Sequence, residues 1–175
     1  MLTDEHQVIL AVCDAAEREA RAMRAAGAAN AGRVERMVDF FRNFADRCHH
    51  AKEEDLLFVT MAQRGFPTDF GPVGMMLHEH RASRANVAAV ADNLAAAAAG
   101  DAAAVTVVAD NLLAYASLLR SHIYKEDNIL YPMANQAFSE TDQATLAAEF
   151  ARVERDVIGA DVQETYRRIA RELGE

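Results

Sequence analysis

His49 and Glu53 stand four residues apart, and so do His122 and Glu126. On a helix the i and i+4 positions share one face, with ~6 Å of rise between them. An imidazole and a carboxylate placed in that way can converge on one metal centre. The two pairs sit in matching stretches, CHHAKEEDLLF (residues 48–58) and SHIYKEDNILY (residues 121–131), offset by 73 residues. A weaker match joins LTDEH (2–6) to MLHEH (76–80), offset by 74, and adds His6 and His80, each directly after a Glu. The chain therefore reads as one helical hairpin repeated, with four His and two Glu able to point inward between its halves. Imidazole suits iron, zinc and copper, while carboxylates suit harder cations and can bridge two of them. Two bridging glutamates can hold a metal pair ~3.5–4 Å apart. Each metal then has two His and two shared carboxylates, with room for a bridging oxide or hydroxide. Room also remains for an exogenous ligand such as dioxygen, peroxide or nitric oxide. A redox-active metal is the expected occupant, because structural zinc prefers a closed tetrahedral set, usually rich in Cys.

Three further residues compete for a place. His50 with Glu54 offers the same spacing one residue on, but only the 49/53 register matches 122/126, which leaves His50 beside the ligands or on the surface. Glu54 stays as an alternate ligand. His78 is two residues from His80, ~200° around a helix, so both cannot face one core site. It is expected at the surface, with donation to the site as the alternative. Tyr124 and Tyr131 are read as core or rim aromatics. Leu57 and Leu130, one turn after each carboxylate, should wall the site and keep it dry. Cys48 lies ~100° around the helix from His49 and reads as a buried thiol.

The elements that must position these residues are helices. Apolar residues make up 51% of the 175, aromatics 7%, and only three prolines and eight glycines interrupt the chain. Such a composition, rich in Ala, Leu, Arg and Glu, favours long helices. Gly- and Pro-containing breaks delimit helical segments of roughly 3–27, 33–63, 73–99, 102–136 and 140–173. In the fourth, Val105, Val108, Leu112, Tyr115, Leu119, Ile123 and Leu130 recur at helical spacing on one face. Short breaks favour antiparallel neighbours. The expected fold is all-α: an up-down-up-down four-helix bundle over residues 1–136, with an additional C-terminal helix, within 137–175, packed on it. Phe150, Val153, Val157 and Ile158 give that helix an apolar stripe, and Ser139 caps it with Asp142 nearby. The formal net charge of −9 argues against nucleic acid and an anionic membrane surface. The N-terminus has no signal-peptide pattern, and no apolar run is read as reaching membrane-spanning length. Two cysteines, Cys13 and Cys48, suggest no disulfide framework, so a reducing cytoplasm is expected.

HHAKEEDLLF and HIYKEDNILYP resemble the paired signatures of the hemerythrin-like, HHE cation-binding family, and LTDEHQVI and GPVGMMLHEHRASR resemble its first and third helices. The likeness covers roughly residues 1–136. It implies a four-helix bundle around two iron ions bridged by carboxylates, with His6, His49, Glu53, His80, His122 and Glu126 as ligands. Oxygen-carrying members place a His-x-x-x-His pair on the third helix and an Asp five after the last His. Here His78-x-His80 and Glu126 stand instead, so the set looks more like the bacterial iron-centre repair and stress-response branch. The resemblance implies oxygen, peroxide or nitric oxide chemistry in oxidative or nitrosative stress, or iron handling. A non-enzymatic oxygen or iron sensor, or an iron store, acting through a protein partner is the other reading. No reductase motif is present, so redox turnover would need an outside electron donor.

Overall fold

The computed structural model describes residues 1–175, except the side chains of Val157, Ile158 and Ala160. Six helices and no strand are formed among the described residues. They are α1 (Leu2–Ala26), α2 (residues 31–63), α3 (Gly71–Ala98), α4 (Ala102–Ala137), α5 (residues 140–158) and α6 (Ala160–Gly174). Local chemistry sets their ends. Gly27 takes a left-handed conformation (φ 73°) and closes α1, with its N–H returning to the Met23 carbonyl. The Asn30 and Asp101 side chains accept from the backbone N–H groups of Arg33 and Ala104 to start α2 and α4. Pro72 sits in the first turn of α3, where its missing N–H costs nothing. Ser139 and Asp142 form a reciprocal capping box at the start of α5.

The C-terminal segment differs from the single helix read in the sequence. It breaks at Gly159, whose φ of 84° is open to glycine and strained for other residues. The apolar stripe proposed there rested partly on Val157 and Ile158, which lie outside the described side chains; Phe150 is buried and Val153 partly so. The second half, α6, does not merely sit outside the bundle. It lies against α1 and α2, and Ala170 and Leu173 join the main core.

α3 packs along α4, α4 along α1, and α2 along α3. All seven residues of the apolar face read on α4, from Val105 to Leu130, are buried. By length and composition alone α4 could cross a membrane, contrary to the sequence expectation. Its apolar face is instead the centre of the bundle core, packed on α1 and α3, which explains its apolar character. Along each bundle helix the buried residues change from apolar to polar and back. Leu2 gives way to His6 and then Ile9; Ala45 to His49 and Glu53 and then Leu57. Met76 gives way to His80 and then Val87; Leu119 to His122 and Glu126 and then Leu130. A polar layer thus divides the interior into two apolar blocks.

Candidate metal centre

The six buried donors arrive from four helices: His6 from α1, His49 and Glu53 from α2, His80 from α3, His122 and Glu126 from α4. All six are at most 1% exposed. They fall into two groups whose donor atoms lie within 4.8 Å of one another. One is His6, His49, Glu53 and Glu126; the other is Glu53, His80, His122 and Glu126. Both carboxylates belong to both groups. Glu126 offers one oxygen to each half, Oε2 at 3.2 Å from His6 Nε2 and Oε1 at 3.1 Å from His122 Nε2. Glu53 Oε2 lies between the halves, 3.6 Å from His49 Nε2 and 3.4 Å from His80 Nε2.

At Glu53 and at Glu126 the helices widen by an i→i+5 hydrogen bond. The Phe58 N–H reaches the Glu53 carbonyl, and the Tyr131 N–H reaches the Glu126 carbonyl. Such turns are frequent at functional sites. Pro132 is not their cause, since the half containing Val59 makes the same turn.

Every imidazole is oriented by an acid. The Nδ1 atoms of His6, His49, His80 and His122 meet Asp127 (2.9 Å), Glu5 (2.8 Å), Glu54 (2.7 Å) and Glu79 (2.9 Å). An ionised carboxylate only accepts, so Nδ1–H donates and Nε2 is the atom turned to the centre. The four orienting acids also obey the repeat. Glu5 and Glu79 precede His6 and His80, and Glu54 and Asp127 follow Glu53 and Glu126. Lys52 and Lys125 then pair with Glu5 and Glu79.

The arrangement fits a pair of metal ions. His6 Nε2 and His49 Nε2 are 3.0 Å apart, as are His80 Nε2 and His122 Nε2. Two nitrogens bound at ~2.1 Å and at right angles to one ion are ~3.0 Å apart. Glu53 Oε2 and both oxygens of Glu126 are buried without a hydrogen-bond partner, which leaves them free for a cation. The protons show the same pull. Burial alone would depress His122, but Glu126, Glu79 and Glu53 outweigh it and push it up to about 10. His6 and His80 are likewise raised, against their burial, by Glu126 and Glu53 respectively. Burial would raise Glu53, yet the surrounding imidazoles of His49, His80 and His122 hold it well below the usual carboxylate range.

The alternates have other places. Glu54 is engaged with His80 Nδ1 and Arg84 rather than pointing its oxygens at the centre. His78 is exposed. His50 is buried, and burial pushes its imidazole down to about 3. Tyr124 is 65% exposed, so it is neither core nor rim of the site. Tyr131 stands at the site: its hydroxyl donates to Glu53 Oε1 at 2.6 Å and its ring stacks on His6. Leu57 and Leu130 are buried in the apolar block that closes this end. Cys48 is buried, with its thiol 4.0 Å from Glu5 Oε1, and burial lifts it to about 12. The orienting acids Glu5, Glu79 and Asp127 were not read from the sequence. The signal was present, because each adjoins a proposed ligand and recurs in both halves.

This bundle and its layer of His and Glu define a helical cation-binding protein. The profile of the hemerythrin HHE cation-binding domain matches residues 1–134, and the chain belongs to that family. No curated protein matches it, and no solved structure does.

Proposed function

We propose that the chain holds two iron ions, one by His6 and His49, the other by His80 and His122, with Glu53 and Glu126 shared between them. The observation that carries this reading is the pair of four-residue groups that share both carboxylates. A donor set of imidazole and carboxylate without thiolate favours iron over structural zinc. Bound iron would supply reversible redox binding of a small ligand: dioxygen, peroxide or nitric oxide. The protein's own part is to fix the donors, exclude bulk water and leave a way in. A cavity of about 540 Å³ adjoins the site at Asp127 and Tyr131, walled by Leu2, Leu57, Phe138 and Phe150. It suits a small, weakly polar ligand. The role is oxidative or nitrosative stress response or iron handling, and the two buried free cysteines accord with a cytoplasmic setting. A sensor or store acting through a partner is the second reading, favoured by α5. That helix closes the same cavity with Leu146 and Phe150, so a partner bound to it would alter access.

The test is anaerobic loading with iron followed by metal analysis and optical spectroscopy. About two irons per chain and ligand-to-metal bands are expected. Glu53→Gln with Glu126→Gln should abolish retention and the thermal shift produced by iron. Wild-type protein that keeps no iron after loading would refute the reading.

A further inference from the structure

The two halves of the bundle are covered differently, and the cover of one half comes from the C-terminal segment, beyond the matched residues 1–134. Lys52 and Lys125 hold the same place in the repeat. Each pairs with the acid that orients a histidine, Glu5 for His49 and Glu79 for His122. The Lys125 side chain is 28% exposed and meets no second acid among the described residues. The Lys52 side chain is fully buried, and its Nζ also meets Glu154 Oε1 of α5 at 2.9 Å. From the first turn of α6, Gln163 Nε2 donates to Glu5 Oε1 at 3.4 Å and lies 3.8 Å from Cys48 Sγ. Cys48 is buried under this cover, whereas its counterpart Ser121 is exposed. The break at Gly159 makes the double contact possible. Its N–H returns to the Glu154 carbonyl at 2.8 Å, α6 starts in a new direction, and residues on both sides of the break meet the Lys52–Glu5 pair. A continuous line of contacts then runs from Glu154 to Lys52, to Glu5 and to His49 Nδ1. Lys52 and Gln163 both take Glu5 Oε1, which leaves Oε2 to His49. Two acids on one buried ammonium leave this cluster with an uncompensated negative charge, which the Glu79–Lys125 pair lacks.

We infer, on the two-iron reading above, that Glu154 and Gln163 are positioning residues for His49, acting through Lys52 and Glu5, so that the C-terminal segment sets the affinity of one iron and not of the other. Glu154 shares the Lys52 ammonium, so Glu5 keeps more of its charge for the His49 Nδ1–H. A fixed and more negative acceptor at Nδ1 makes Nε2 the better metal donor. The coupling is reciprocal: iron at His49 must tighten the hold of α5 and α6 on the bundle to the same degree.

The test compares wild-type protein, Glu154→Gln and Gln163→Leu with Glu164→Gln, which removes an exposed acid next to Gln163. In the metal-free protein, nitrogen–proton spectra of the histidine rings should show the His49 Nδ1–H signal moved, and its exchange with water quickened, in Glu154→Gln and Gln163→Leu. The His122 signal should stay in place, a selectivity that general loosening of the fold would not give. In anaerobic titration with iron(II) against a chromophoric chelator, Glu154→Gln should weaken one of two bound ions by at least about fivefold, the low end of couplings between sites, and leave the other unchanged. Glu164→Gln should change neither spectra nor affinity. Iron loading should slow amide hydrogen exchange over residues 154–163 in wild-type protein, and less so in Glu154→Gln. Unmoved His49 signals in both variants, or equal weakening of both ions, overturns the inference while the two-iron reading stands. Wild-type protein that binds no iron overturns both.

Discussion

Tyr131 and Phe58 hold the same place in the two halves, each stacked on a site imidazole, but only Tyr131 carries a hydroxyl into the centre. Tyr131 stacks on His6 at 5.7 Å and Phe58 on His80 at 5.8 Å. The Tyr131 hydroxyl occupies Glu53 Oε1 and leaves Oε2 as the unpaired oxygen. Tyr131→Phe removes a hydrogen bond to a buried carboxylate, and the metal-free protein should lose about 1–3 kcal/mol in chemical denaturation. Iron content should stay at about two per chain, since the six donors are untouched. Iron falling to about one per chain would mean that the hydroxyl, 3.3 Å from His6 Nε2, is itself a ligand.

Glu5 and Glu79 orient equivalent histidines, yet their removal should differ. Glu79 and Lys125 are only partly buried, so Glu79→Gln should lower iron affinity by roughly 10–100-fold with little loss of fold stability. Glu5 is 1% exposed and its partner Lys52 is 1% exposed. Glu5→Gln leaves a buried ammonium with Glu154 as its remaining acid partner, so it should also destabilise the protein, toward the ~3–5 kcal/mol typical of a broken buried pair. Paired measurements of melting and iron affinity on the two variants check this. Equal stability losses would show that the burial of Lys52 does not matter.

Iron binding should release protons and strengthen as pH rises. His122, at about 10 in the metal-free protein, holds a proton through the neutral range, and His6 and His80 are shifted in the same direction. A metal must displace those protons. Calorimetric titration in buffers of different ionisation enthalpy should give net proton release at pH 7, and affinity should climb between pH 6 and 9. For folding without metal the sign is opposite. A raised imidazole stabilises below its unfolded value and loses that contribution as pH rises toward about 10. A pH-independent iron affinity would contradict the assignment of these imidazoles as ligands.

Much of the site was legible because two signals coincided: helical i, i+4 spacing and the repeat. Glu53 is distinguished from Glu54 by register alone, and the structure puts the first in the centre and the second on His80 Nδ1. His50 shows the limit of that method. A repeat identifies what the halves share and is silent on what one half has alone, and His50, buried against His80, answers to Ile123 in the other half. Tyr124 was misplaced for a different reason: aromatic character alone does not fix a helix face, and its neighbours put it outward. The break at Gly159 was hidden because a single glycine inside a helical pattern is usually tolerated. The depth of α6 in the core was likewise hidden, since Ala170 and Leu173 look ordinary in a charged segment.

α6, which lies beyond the matched residues 1–134, is part of the core rather than an addition to it. Leu173 is fully buried among the residues of the main core. The carbonyls of Leu173 and Gly174 accept from Arg18 at 3.5 and 2.9 Å, and Leu173 also accepts from Arg33. α6 is thus fastened to both α1 and α2 by backbone acceptors as well as by packing. Leu173→Ala should cost about 2–5 kcal/mol, toward the lower end because a helix terminus can relax into the space. Iron stoichiometry of the folded variant should not change, because the metal layer is built from α1 to α4. Thermal melting with and without iron separates the two effects. A variant that melts like wild type would show that α6 is an appendage rather than part of the core.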